Sequence, residues 1–314
     1  MTNPADEPLH IVVTCTNRKR FPVPPQLRIS NLAHLRPGTR FAQWTTRLAD
    51  SAHPHYPAAD IYAGEHWQVA QKLTEVPAAK TAVLWIASAG YGLVAADTTI
   101  CAYGATFSAS APDAVGASLA DVTDWWRRLG QWPGPAPASP RTFADLARRN
   151  PQATIIAVLS EAYQRACAND LLAAAAVLGH EALSVVGPPD AQPRLTDLLV
   201  PVTAPMRHTV GGSLQALNVR VARHLLEHST GLHRTPLREA AVAAIPTRPP
   251  SPRAAGQRMS DTELCTYIQT QAHTSATNLL RQLRATGRSC EQSRFGLLHA
   301  QICRAQGCQR VNQS

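Results

Sequence analysis

The sequence predicts an α/β protein, a mainly parallel sheet with helices on both faces, followed by a small helical segment. Short β-branched apolar runs alternate with helix-length amphipathic segments over residues 1–245, the pattern of a buried parallel sheet. Pro246, Pro249, Pro250 and Pro252 then mark a linker over 246–259. Beyond it, 260–314 carry three short helical patterns and a surplus of arginine.

Taken in order, 9–13 (LHIVV) is a buried first strand that delivers the polar loop TCTNRKR. Residues 22–58, rich in Pro, His and polar side chains, read as a long excursion outside the core. A helix is expected over 59–74, with Trp67, Ala70 and Leu73 on one face, then a strand over 81–87 that runs into SAGYGL. Residues 121–129 read as a helix and 131–139 as a Pro-rich loop. The alternation resumes with a strand over 153–159, a helix over 161–178 and short strands at 183–186 and 198–202. A helix over 213–228 follows a Gly-Gly pair. In the tail, Ser260-Asp-Thr-Glu263 and Ser289-Cys-Glu-Gln292 read as capping boxes that open the first and third helices, and 276–284 forms the second, ended by Gly287. Leu279, Leu280 and Leu283 give the second helix an apolar face, and Phe295, Leu298 and Ile302 the third. A glycine-containing turn before the last helix matches the helix-turn-helix plan, which points to DNA, although three-helix bundles that bind none share it.

Charge divides the chain in the same place. Residues 1–203 carry 16 basic and 16 acidic side chains, whereas 204–314 carry 14 arginines against five acids, so the whole net charge of +9 sits in the last third. Clustered arginine implies a polyanion, DNA above all, with a solvated basic face as the plainer account. No apolar run is long enough to span a bilayer, so no membrane partner is expected. The start lacks a basic segment followed by an apolar one, and seven scattered cysteines suit reduced thiols; a cytoplasmic protein is expected.

Three clusters fall just after strand ends, where α/β sheets place their chemistry. The first is Cys15-Thr-Asn17-Arg18-Lys19-Arg20, a thiol beside cations that would favour its thiolate; it is either a nucleophile or a small buried residue closing a strand. The second is Ser88-Ala-Gly90-Tyr91-Gly92, whose glycines imply a tight turn or close approach to a ligand, with Ser88 and Tyr91 as hydrogen-bond donors. In the third, Arg207 and the Gly211-Gly212 pair open a helix whose free N–H groups suit a phosphate, or simply begin a helix. Cys303 and Cys308, with Cys290 and His299 nearby, fit no standard zinc spacing, so neither a metal nor another cofactor is expected.

In this order the clusters resemble the YaaA-like superfamily: Cys15 with Lys19, then Asp60-Ile-Tyr62-Ala-Gly64, then WIASAGYGL with Asp97 and Tyr103 downstream. The likeness covers residues 10–105 best, and Arg20-Phe21 stands where related sequences carry Pro-Tyr. It implies DpdC-type chemistry, distantly like the amidotransfer domain of archaeosine synthase, in which 7-cyano-7-deazaguanine in DNA becomes the 7-amido base. Cys15 would then add to the nitrile, with Lys19 and Arg18 stabilising charge and Asp60 or Asp97 activating water. Asn17, Arg18, Tyr62, Ser88, Gly90, Tyr91, Gly92, Arg207, Gly211 and Gly212 would hold the base and its phosphates. Arg281, Arg284, Arg288 and Arg294 would contact the nucleic acid, and proteins of a modification or phage-defence gene cluster are the implied companions. The competing reading is a non-catalytic DNA-binding protein of a stress or defence system, in which Cys15 is dispensable.

Overall fold

The structure, a computed structural model, describes residues 8–50, 52–247, 256–271 and 274–305. It divides between Thr247 and Arg248 into two compact units, so the boundary falls inside the expected linker, of which 248–255 lie outside the described residues.

Strand β1 (Leu9–Thr14) is buried along its whole length. The segment expected as an excursion instead feeds the core: helix α1 (Pro37–Ala49) buries Trp44 and Leu48, and the turns before it bury Leu27, Ile29 and Leu32. Prolines and polar residues hid five apolar anchors spaced too irregularly to give a period. Short strand β2 (His55–Pro57) and helix α2 (Ala58–Ile61) follow. The single helix expected over 59–74 is interrupted at Gly64, whose φ of 99° no helix accommodates, and resumes as α3 (Glu65–Ala70).

Strands β3 (Val83–Ser88) and β4 (Gly92–Ala95) form a hairpin, and β5 (Thr99–Cys101) turns back to pair with β2. Helix α4 (Leu119–Gln131) starts at a capping box made by Ser118 and Asp121, and α5 (Phe143–Arg149) is capped by Thr142. Then come β6 (Thr154–Val158), α6 (Glu161–Val177), β7 (Leu183–Gly187) and β8 (Leu199–Pro201). A short α7 (Arg207–Val210), α8 (Leu217–His228) and α9 (Arg234–Ala243) complete the unit.

The central sheet has the order β4-β3-β1-β6-β7-β8, parallel throughout except for β4. Every residue of β1, β6 and β7 is buried, as both faces of the sheet are covered. Helices α4, α5 and α6 pack together as one group, and α3, α8 and α9 as another. Both edge strands are short, and Pro201 in β8 removes a donor from the outer edge.

The second unit holds β9 (Gln257–Arg258), α10 (Asp261–Gln269), α11 (Ala276–Ala285), β10 (Arg288–Ser289) and α12 (Gln292–Ala305). Leu264, Ile268, Leu279, Leu283, Phe295 and Ile302 form its core. The Ser260–Glu263 capping box forms as the sequence predicts. The connection from α11 to α12 is not a bare turn: it contains β10, which pairs in parallel with β9. Among the described residues no helix is long and apolar enough to cross a membrane.

One buried cation in the first unit is structural. Arg234 is 2% exposed and donates to the carbonyls of Leu183 and His180 and to Glu181, fastening α9 to the α6–β7 turn. Arg234→Ala leaves the buried Leu183 carbonyl unpaired, frees the half-buried Glu181 and opens a void where the 2%-exposed guanidinium stood, so it should lower the unfolding free energy by about 3 kcal/mol in urea titration.

Candidate active site

Cys15 follows directly on β1, at the carboxyl end of a strand with parallel neighbours on both sides, and its N–H reaches Ala87 O of β3 at 3.1 Å. The half-buried Sγ lies 2.9 Å from the Tyr163 hydroxyl, which the first turn of α6 brings in from the β6 side. The loop after Cys15 is fixed by the DIYAG segment. Lys19 forms an antiparallel bridge with Tyr62, Arg20 N–H donates to Ile61 O at 2.7 Å, and Ala63 N–H donates to Arg18 O at 3.0 Å. Thr16 Oγ1 closes the loop on Ala63 O at 3.2 Å. Two motifs far apart in sequence are therefore one backbone unit.

This pairing turns Lys19 inward. Its Nζ donates to Thr16 O and stands 4.9 Å from the Tyr62 ring centroid and 4.6 Å from that of Tyr103. Burial pushes the ammonium pKa below its ordinary value, and the fields of Cys15 and Asp113 oppose that shift. A second set of hydroxyls lies behind it: Tyr62 OH to Tyr103 OH at 3.1 Å, and Tyr103 OH to Ser88 Oγ at 2.7 Å. Ser88 Oγ accepts from the N–H groups of Gly90 and Tyr91 at 3.2 and 3.0 Å, so its own proton is directed to Tyr103. Burial raises the pKa of Tyr62, Tyr103 and Tyr163, which keeps all three as neutral donors. A thiol, a partly destabilised ammonium and fixed neutral hydroxyls can together form a nucleophile, move a proton and stabilise developing charge.

The structure brings together Cys15, Lys19, Tyr62 and Ser88, with Asn17 and Arg18 exposed on the same loop. Several other expected residues have different tasks. Asp97 is exposed in the turn after β4, at the Trp85 end of β3, the opposite end of the sheet from Cys15. Asp60 is half-buried on α2, with no hydrogen bond to Cys15 or Lys19 among the described residues. The carboxylate whose field reaches Lys19 is Asp113, held by Arg28 at 2.9 Å and Ser30 Oγ at 2.7 Å.

Gly90, Tyr91 and Gly92 are packing residues. A Cβ at Gly90 would stand 2.5 Å from the Tyr103 ring, so glycine here admits the ring rather than a ligand. Tyr91 is 1% exposed and its hydroxyl accepts from Cys101 N–H at 3.1 Å. The carbonyls of this loop are taken by the indoles of Trp125 and Trp44 and by Arg141, which reach Ala89, Gly90 and Tyr91 respectively. The Gly-Gly loop is likewise occupied from within. Ser213 N–H donates to Glu65 Oε1 at 3.2 Å, Arg220 Nε donates to the same oxygen at 2.8 Å, and Arg207 Nε is bound to Gly212 O at 2.7 Å. A carboxylate of the chain itself thus stands where a phosphate was expected, and helix α8 begins only at Leu217. In the second unit, Cys303 Sγ and His299 Nδ1 are 3.6 Å apart, no group of three metal-binding side chains occurs among the described residues, and Cys308 lies outside them.

Sequence reasoning missed Tyr163, Asp113 and His66. Tyr163 had a usable signal, since it opens the helix after β6 just as Cys15 closes β1. His66 Nε2 donates to Thr14 O at 3.3 Å, and burial lowers its pKa, so it is neutral near pH 7 and pins the end of β1. Nothing in the spacing marks Asp113. Comparison with protein-family models, with curated proteins and with solved structures gives no match for this chain.

Lys19→Met tests the cost of the buried ammonium. Because the folded-state pKa lies below 10.5, the unfolded chain binds more protons between the lowered value and 10.5, and the wild type gains stability as pH rises through that window. Lys19→Met should therefore melt higher than wild type at pH 7, with the gap closing as the pH approaches 10.5.

Proposed function

We propose that the first unit is a thiol enzyme that hydrates the nitrile of 7-cyano-7-deazaguanine in DNA to the 7-amido base. The observation that carries this reading is the contact of Cys15 Sγ with Tyr163 OH at 2.9 Å, with the Lys19 ammonium buried on the same loop. The ordered likeness of the Cys15–Lys19, DIYAG and SAGYGL segments to the YaaA-like superfamily supports the substrate, and the arginine surplus after residue 203 supports DNA.

In the first step the thiolate attacks the nitrile carbon. An S–C bond forms, the triple bond becomes C=N, and Lys19 delivers to nitrogen the proton that the thiol gave up, leaving a thioimidate. Water then adds across the C=N bond, its oxygen to carbon and one of its protons to nitrogen, to give a tetrahedral centre bearing a hydroxyl, an amine and the sulfur. The C–S bond breaks, the sulfur leaves as thiolate, the hydroxyl proton returns to the Lys19 amine, and the carbon keeps the oxygen as the carbonyl of the amide. The net change is addition of one water, with no oxidant or reductant. Tyr163, a neutral donor, holds the sulfur while it is charged, and Arg18 and Asn17, exposed on the same loop, would be free to meet the base and its flanking phosphate. A base in a duplex must leave the stack to reach Cys15.

Mass spectrometry of nucleosides, after incubation of the protein with DNA carrying 7-cyano-7-deazaguanine, tests the reading. Conversion to the amide, abolished in Cys15→Ala, is the expected result. No mass change, together with salt-dependent binding to the same DNA, would instead make this a binding protein with Cys15 as packing. Tyr163→Phe should lower kcat by about 10- to 100-fold while leaving the Kd for DNA unchanged, because the hydroxyl acts on sulfur rather than on the nucleic acid.

A further inference from the structure

The helix-turn-helix plan nominates the last helix of the second unit as the one that meets DNA. Its exposed surface is poorly suited to that: Gln292, Ser293, Leu297, Gln301 and Arg304 offer one cation, and Leu297 is 66% exposed among them. Helix α11 is different. Leu279, Leu280 and Leu283 hold its inner face in the core, so the three- and four-residue spacing turns Asn278, Arg281, Gln282 and Ala285 outward together, and all four are exposed. Arg284 flanks this face, and Arg288 is exposed on β10, three residues beyond the end of the helix. From Thr274 to Cys290 the chain has no acidic residue.

The carboxylates of the unit are hydrogen-bonded to other partners, although the charge of Arg288 reaches Glu263. Asp261 is paired with Arg294 at 2.6 Å, the one ion pair among the described residues of this unit. Glu263 caps α10 through Ser260 N–H and Oγ, both at 2.8 Å, and Glu291 accepts from Ser293. Arg294, expected to contact nucleic acid, is thereby tied to Asp261 and to Met259 O. Among the described residues no carboxylate forms an ion pair with Arg281 or Arg288, and Arg284 gives one N–H to Cys290 O at 3.1 Å, leaving the rest of its guanidinium exposed.

We infer that α11, rather than α12, is the helix this unit lays against duplex DNA, with Arg281, Arg284 and Arg288 on phosphates and Asn278 and Gln282 toward base edges. The inference rests on DNA being the partner. The face is a cationic and amide surface with no large apolar side chain, whereas a protein partner needs an apolar centre to bind on. Amide and guanidinium groups are also the side chains that match phosphate oxygens and the purine edges exposed in the major groove. A helix of ten residues is about 15 Å long, a length that the groove admits.

The test is fluorescence anisotropy of the full chain with a short labelled duplex over a series of salt concentrations. Arg281→Ala/Arg288→Ala should weaken binding by about tenfold or more. The slope of log affinity against log salt should also become shallower, by about 0.9 for each phosphate that is no longer neutralised. Gln282→Glu should weaken binding as well, while Gln301→Ala/Arg304→Ala on α12 should bind as wild type does. All these positions are exposed, and thermal melts confirm that each variant is folded. Wild-type binding left unchanged in the Arg281/Arg288 and Gln282 variants overturns the role of α11 and leaves DNA as the partner. Loss of binding only in the α12 variant does the same. Failure of the wild type to bind the duplex at low salt, or equal binding to polyglutamate, overturns DNA as the partner as well.

Discussion

A lysine ammonium stripped of most of its hydration is unfavourable to hold, and the arrangement around Cys15 is organised by how that penalty is met. Lys19 is offset by the carbonyl of Thr16 and by the faces of Tyr62 and Tyr103, each supplied by a different part of the chain. Tyr62 arrives because the segment around it pairs with the Cys15 loop. Tyr103 arrives because Ser88, at the end of β3, fixes its hydroxyl. Strand β1, the loop after it, the second motif and the end of β3, joined by backbone pairing, thus converge on a single cation. The same cation is the only lysine of that loop, and the field of the sulfur four residues earlier bears on it.

The walls around Cys15 are closed on two sides, which would limit how the proposed substrate approaches. On the β3 side the turn over 89–91 has every carbonyl engaged, two by tryptophan indoles and one by an arginine whose burial lowers its pKa to about 10. On the β6 side Tyr163 covers the sulfur. What stays open is the outer side of the loop, where Asn17 and Arg18 are exposed. In the proposed reaction, recognition would fall to the exposed amide and guanidinium of the loop, with the buried hydroxyls behind it as a rigid backing of fixed donors.

The sheet was legible because β1, β3, β6 and β7 are runs of β-branched and apolar residues bounded by polar turns. Helix α6 was legible from its length and its alanines. The core contribution of 25–49 was not, since Leu27, Ile29, Leu32, Trp44 and Leu48 are separated by prolines and short turns with no common period. At the site, Cys15 and Lys19 were readable as chemistry next to a strand end. Asp97 reads in the sequence as an acid downstream of a motif, but an antiparallel strand carries it back to the far end of the sheet, a reversal that spacing does not announce. Asp113 acts through space alone, and Glu65 reaches the Gly-Gly loop from 148 residues away.

Gly90 and Tyr103 give the cluster a property that belongs to neither residue alone. The ring occupies the space in which a side chain at position 90 would begin, with its nearest atom 2.5 Å from a Cβ placed there. The two positions are consequently a single unit of substitution: any enlargement at 90 demands a smaller or displaced residue at 103. Displacing that residue would withdraw one face from Lys19 and one hydroxyl from Ser88 and Tyr62 at the same time. In descendants of this sequence, the pair would be expected to change together or not at all, and a coordinated change would mark a lineage in which the lysine had lost its place beside the thiol.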